Sequence, residues 1–238
     1  MQSVRGAVIV VGACGLLLAG SARAYADAPA QMFEGFTDGS TRGFGGGTGG
    51  YFNPATGGVD GVGDGFLMIS SSFDNRFAAA DFGGLFTGPN VDYLASGVTG
   101  LEFWLNDVGQ PDPFEIHVGF GVTPQAGASN IWFTRAGFQP VAGQWTRFTV
   151  DFTDPSQWIR THGSAGTFED ALSHVTRLVF RHDVDPIVQS PDPISGDLGI
   201  DSIRLLPEPA SALILLVGVG AICGFGKRRR NRIPAHRV

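Results

Sequence analysis

Residues 114–120 read Phe-Glu-Ile-His-Val-Gly-Phe, with large apolar side chains at every second position and polar or small ones between. A period of two belongs to a β-strand with one buried face, whereas a helix repeats its apolar positions every three or four residues. The pattern recurs along the chain. Leu101, Phe103 and Leu105 share one side of 101–105, and Phe148, Val150 and Phe152 share one side of 145–152. Shorter runs at 67–71, 77–82, 131–134, 175–180 and 199–205 bring the predicted strands to about eight, separated by Gly, Pro and Asp turns. Only 168–174 reads as a short helix. Strands with one apolar face each predict an all-β, two-sheet antiparallel β-sandwich, and the long gaps favour jelly-roll crossovers over simple hairpins. No fixed-period repeat suggests a solenoid or propeller. Thirteen glycines between Gly35 and Gly65 exclude a helix there and predict a long surface excursion.

Both ends of the chain read as targeting segments and are excluded from the fold. Arg5 precedes an apolar run over 7–19, followed by Ala22-Arg23-Ala24 and Ala24-Tyr25-Ala26, which predicts a signal peptide over 1–26 and export through the Sec translocon. A lipoprotein reading would use Cys14, but Leu16, Leu17 and Leu18 continue the apolar run beyond it. At the other end 210–226 carries no charge over 17 residues, about 25 Å of helix, enough for a thin bilayer. Lys227, Arg228, Arg229, Arg230 and Arg232 follow, and such a cluster stays in the cytoplasm. The expected organisation is therefore signal peptide 1–26, ectodomain 27–206 and a C-terminal transmembrane segment within 207–238.

The ectodomain contains 21 acidic residues and eight arginines, a net charge of −13, and neither cysteine of the chain. That balance repels nucleic acid and offers carboxylates to calcium. Without a disulfide the fold rests on its own core.

The run Leu206-Pro207-Glu208-Pro209-Ala210-Ser211, an apolar helix and Lys227-Arg228-Arg229-Arg230, in that order, closely resembles the PEP-CTERM sorting signal. The resemblance implies an exosortase that cleaves near Pro207-Glu208-Pro209. It also implies anchoring in the inner membrane before processing, and the cell surface or extracellular matrix of an exopolysaccharide producer afterwards. Two prolines would hold this segment extended between the last strand and the membrane. The ectodomain resembles the jelly rolls of carbohydrate-binding modules and of laminin-B-type and discoidin-like domains. The resemblance is carried by Phe33-Glu34-Gly35, Leu101 to Leu105, Gly143-Gln144-Trp145-Thr146-Arg147-Phe148 and Gly199 to Leu205. It implies a structural calcium ion joining the first and last strands through Glu34 and Asp201, with Asp197 as a helper; the alternative leaves both carboxylates facing solvent.

A polysaccharide face needs an exposed aromatic ring with polar groups alongside. Trp104 shares its strand side with Glu102 and Asn106, and His117 and Glu115 oppose the apolar side of their own strand, so these residues are expected on one polar sheet surface. Tyr51, Phe52 and Asn53 are a second option; Trp104 packed beneath a loop and Trp145 in the core are the plainer alternatives.

Catalytic constellations are poor. Gly45 to Gly50 fits G-x-G-x-x-G without the strand-to-helix unit a dinucleotide needs. His162-Gly163-Ser164-Ala165-Gly166 lacks the first glycine of a nucleophile elbow. His117, His162, His174 and His182 do not pair at metal-ligand spacing. Asp183 and Asp185, beside His182 and Arg181, read as a solvated loop. The expectation is a non-catalytic exported protein that associates with extracellular polysaccharide; a purely structural surface or biofilm protein and a glycan-active enzyme are the alternatives.

Overall fold

The computed structural model of this 238-residue chain describes residues 32–46, 49–72, 77–81, 84–109, 112–122 and 129–208. The expected signal peptide, Pro209, the apolar segment 210–226 and the basic residues Lys227, Arg228, Arg229 and Arg230 lie outside these residues. Among the described residues no helix is long and apolar enough to cross a membrane.

Two antiparallel sheets face each other, as the alternation predicts. The larger has six strands: β1 (Phe33–Glu34), β2 (Gly50–Phe52), β3 (Leu67–Ser71), β5 (Val98–Gly109), β8 (Thr146–Asp151) and β11 (Gly196–Pro207). The smaller has five: β4 (Ala78–Asp81), β6 (Ile116–Val122), β7 (Asn130–Thr134), β9 (Trp158–His162) and β10 (Arg177–His182). In the larger sheet the order is β2-β3-β11-β5-β8, and in the smaller β4-β10-β6-β7-β9, so most neighbours are distant in sequence. β11 organises the larger sheet. One edge pairs with β5, while the other pairs first with β3 and then, past Asp201 and Ser202, with β1. At that handover the register slips and Ser202 takes φ +50°, a left-handed conformation that accompanies the local bulge.

The inward residues are those the alternation selects. Leu101, Phe103 and Leu105 from β5 and Leu198, Ile200, Ile203 and Leu205 from β11 face Ile116, Val118 and Phe120 from β6 and Leu178 and Phe180 from β10, all without solvent exposure. Phe103 meets Phe180 across the sandwich at 5.2 Å, edge to face, the geometry favoured by the ring quadrupoles. At one end Phe120 packs against Phe152, Trp158 and Phe168 at 5.0–5.3 Å. Phe168 opens α1 (Phe168–Leu172), which starts at a capping box between Thr167 and Asp170. Burying each such ring contributes roughly 1.5–3 kcal/mol, so these aromatics replace the missing disulfides as the source of cohesion.

Two expectations are corrected. Residues 35–65 are more than a surface excursion: β2 pairs with β3, Phe36 and Phe44 enter the core, and Gly45 bridges to Ala80 of the other sheet. Pro207, expected in an extended segment beyond the last strand, is also placed otherwise. Pro207 is the final residue of β11, opposite Val98, and the Glu208 N–H donates to the Gly97 carbonyl at 2.8 Å. The Thr99 hydroxyl donates to the carbonyls of Leu206 and Pro207, each at 3.3 Å. A proline at the end of a strand loses only one ladder bond, so it can be accommodated there.

Candidate functional site

Trp104 and Glu102 lie on the outer side of β5, as expected, opposite Arg147 and Thr149 of β8. Trp104 is half-buried, and Glu102 is ion-paired with Arg147. Asn106 is on the same side but only 9% exposed. His117 is not part of this surface. It belongs to β6 in the other sheet, is fully buried, and its Nδ1 lies 2.7 Å from the Thr134 carbonyl. Alternation tells which side of its own strand a residue occupies; it does not tell which sheet receives the strand. The second option also separates: the Tyr51 hydroxyl turns inward to the Ala78 carbonyl at 2.7 Å, while Phe52 is 49% exposed.

The outer face of the six-stranded sheet is divided. One half is covered by residues 57–66. Trp145 holds them down, its Nε1–H donating to the Gly57 carbonyl at 2.8 Å and its ring meeting Phe66 edge-on at 5.3 Å. Both rings lie over Gly199, where a Cβ would stand 2.8 Å from Trp145 and 3.3 Å from Phe66, so a side chain at that position would lift the cover. Asn106 and Asp201 are buried because of it. Trp145 is therefore a clamp on the outside of the sheet and not a core residue. The other half remains open and carries Trp104, Glu102, Arg147, Thr149 and Asp151, with Arg204 stacked 5.1 Å from the 48% exposed Phe33 ring.

The outer face of the five-stranded sheet is closed by its own chain. Ile187 packs there with Ala80, Ile131, Phe133 and Val179. Arg181 lies 4.3 Å from the Phe133 ring centre, pairs with Asp183, and donates to the carbonyls of Val188 and Gln189. The expected solvated loop is thus a plug: Asp183 has no exposure, since its carboxylate is needed beneath the plug to meet Arg181. Burial pushes the Asp183 carboxyl up to about 6, outweighing the lowering by Arg181, and the charges of Asp192 and Glu115 push the same way. Burial likewise lowers the His182 imidazole below its usual range.

Glu34 and Asp201 are both buried and lie on the paired strands β1 and β11. The Glu34 oxygens are taken by the Phe36 N–H at 2.6 Å and Arg42 Nε at 2.9 Å. Those of Asp201 accept from the N–H groups of Val59 at 2.9 Å and Ser202 at 2.6 Å. Burial raises Asp201 to about 6, and the adjacent Asp64 carboxylate adds to the rise. Asp197 stands apart, 2.8 Å from where a Gly109 Cβ would be, and its charge helps raise the neighbouring Asp107 after burial. Among the described residues no three His, Cys, Asp or Glu side chains converge as a metal cluster. Calcium, however, also takes neutral oxygens. A Cβ on Gly65 would lie 2.6 Å from the Phe36 carbonyl, 2.8 Å from Asn53 Oδ1 and 3.3 Å from the Pro54 carbonyl. Asn53 Oδ1 is buried without a hydrogen-bond partner, its amide nitrogen being engaged by the carbonyls of Phe36 and Ser40. Asp64 and Asp201 are neighbouring carboxylates, while Asn53 Oδ1 lies by the Phe36 and Pro54 carbonyls. Asp64 was not singled out in the sequence, and Asn53 only as part of a polysaccharide face, because only the fold of 53–65 brings Asp64 to Asp201 of β11.

No family model matches the sequence. No curated protein matches it either. Among solved structures the chain is similar to CtCBM11, with 16% identity, 77% of this chain and 99% of that chain covered, and a TM-score of 0.51, a likeness of fold. It is also similar to a family 11 carbohydrate-binding module from Clostridium thermocellum in complex with a β-1,3-1,4-mixed-linked tetrasaccharide, at 13% identity, 71% and 91% coverage and a TM-score of 0.46. The CBM22-2 xylan-binding domain of Paenibacillus barcinonensis Xyn10C gives 11% identity, 74% and 98% coverage and a TM-score of 0.48. The described residues thus share the two-sheet β-sandwich fold of CtCBM11.

Proposed function

We propose that this chain is an exported, non-catalytic protein whose β-sandwich associates with extracellular polysaccharide after an exosortase processes it at Pro207-Glu208-Pro209. The observation that carries the binding part is the open half of the larger sheet, where a half-buried Trp104 sits among hydroxyl, carboxylate and guanidinium groups on a jelly-roll frame. A structural calcium ion at the neighbouring carboxylates Asp64 and Asp201 would clamp residues 53–65 to the last strand; Glu34, whose oxygens are taken by Phe36 and Arg42, and Asp197, which stands apart, are not part of it. The processing part rests on the order of motif, apolar helix and basic tail. Affinity electrophoresis of the full chain in detergent through polysaccharide-containing gels tests association; equal mobility in every polymer, with and without calcium, refutes it. Replacing Pro207-Glu208-Pro209 by alanines tests processing, and full-length protein should then accumulate in the membrane fraction.

A further inference from the structure

We propose that the free edge of β8 is a self-complementary surface on which a second copy of this chain docks, β8 against β8 and antiparallel, joining the two six-stranded sheets into one. The pairing does not depend on the carbohydrate reading above.

An edge strand exposes a row of unpaired N–H and C=O groups, and folded proteins blunt such edges with short strands, bulges, proline or cover. Three of the four sheet edges here are blunted. β2 is three residues long, β4 is covered where Ala80 exchanges hydrogen bonds of 2.8 and 3.0 Å with Gly45, and β9 carries a register shift. The fourth edge, β8, runs six residues in unbroken register with β5 and contains no proline, and among the described residues no strand pairs with its other side. The Phe152 N–H donates to the Thr99 carbonyl at 2.9 Å, and an antiparallel ladder alternates. Val150, Phe148 and Thr146 therefore bond to β5, while Arg147, Thr149 and Asp151 direct their backbone groups outward. The Asp151 carbonyl has that direction, accepting from Trp158 Nε1 at 2.9 Å in place of β5. Depressions of about 480 Å³ and about 190 Å³ both border Thr149, Val150 and Gln157, which leaves the middle of the strand open.

Charge selects the partner. A two-fold axis perpendicular to the sheet at Thr149 sets Thr149 opposite the partner's Thr149, Arg147 opposite the partner's Asp151, and Asp151 opposite the partner's Arg147. All three side chains are exposed on the outer face of the sheet. Threonine pairs and opposite-charge pairs are favourable cross-strand neighbours, and like charges are not. An axis at Arg147 or Asp151 would oppose like charges, and one at Phe148 or Val150 would set a charge against threonine, so the register is fixed. In it the Thr149 pair exchanges both of its backbone bonds, and the Asp151 N–H reaches the partner's Arg147 carbonyl. Arg147 already pairs with Glu102, but a guanidinium has five donors and can serve both carboxylates. Among the described residues Asp151 engages only Oδ1, with the N–H and hydroxyl of Thr153 at 2.6 Å each, which leaves Oδ2. The other nearby cations are committed elsewhere: Arg135 Nε donates to the Ser156 carbonyl at 3.0 Å, and Arg204 lies beyond β5, on β11, against Phe33.

The test is sedimentation of the full chain in density-matched detergent, with thermal unfolding to check that each variant is folded. The native chain should sediment as a dimer. Arg147→Glu or Asp151→Lys alone sets like charges across both symmetry-related pairs and should weaken self-association about tenfold or more. Mixed with each other, the two variants should recover it, because every charge contact between them is again between opposite signs. Thr149→Pro removes an outward N–H without touching the β5 ladder, and should leave a monomer. A monomeric native chain overturns the proposal. Undiminished dimers of all three variants place the association elsewhere, in the apolar segment 210–226 for example, and overturn the edge. Charge variants that remain monomeric when mixed overturn the charge-paired register.

Discussion

Asp183 offers the sharpest test of the energetics beneath the plug on the five-stranded sheet. Its carboxylate is fully buried and paired with Arg181, yet burial outweighs the pairing and the group takes its proton at about 6 instead of the usual 3.8. A folded carboxyl that binds its proton at higher pH than the unfolded chain contributes stability fully below about 4, and loses it as pH rises through about 6. At ~1.36 kcal/mol per pH unit the contribution is on the order of 2–3 kcal/mol. Asp183→Asn keeps the shape and removes the titration. The variant leaves Arg181 without its counter-charge, a cost of several kcal/mol, but arginine does not titrate in this range and the cost is a constant offset. Only the slope is diagnostic. Urea unfolding of both proteins from pH 4.5 to 7.5 should show the stability of Asp183→Asn rising relative to the native chain by about 2 kcal/mol. A flat or falling difference would mean that Arg181 pairing outweighs burial, and the reasoning would fail.

Calcium in excess should raise the unfolding temperature, by about 2.7 kcal/mol of stability at a hundredfold excess over the dissociation constant, and Asp201→Asn should remove the effect; thermal unfolding with calcium and with chelator decides, and identical curves would exclude the ion. Gly119→Ala should destabilise by about 1–3 kcal/mol, because its Cβ would lie 2.3 Å from the Phe133 ring that supports Arg181; a native-like urea midpoint would show that the ring can move aside.

The period-two alternation determined most of the fold, since an apolar residue at every second position is a local property that needs no knowledge of its partner. Inward residues such as Phe103, Phe120 and Leu205 were legible for that reason. β1, β2 and β9 were not. The first two are too short to show a period, and β9 reads Trp-Ile-Arg-Thr-His with only Trp158 buried. Net charge, the lack of cysteine over 27–206 and the order of Pro-Glu-Pro, apolar run and basic tail were likewise properties of sequence alone.

The site needed tertiary structure, because it depends on which strands become neighbours and on what covers them. Trp104 and His117 both oppose the apolar side of their strands, yet they ended on different sheets, one half-open and one sealed. Asp183 looked solvated until residues 183–192 were seen folded over Phe133. Gly100 of β5 is flanked by Asp151 of β8 and Leu206 of β11, about 50 and 100 residues away in the chain. Alternation supplied the faces; long-range pairing and loop cover decided which of them meets solvent.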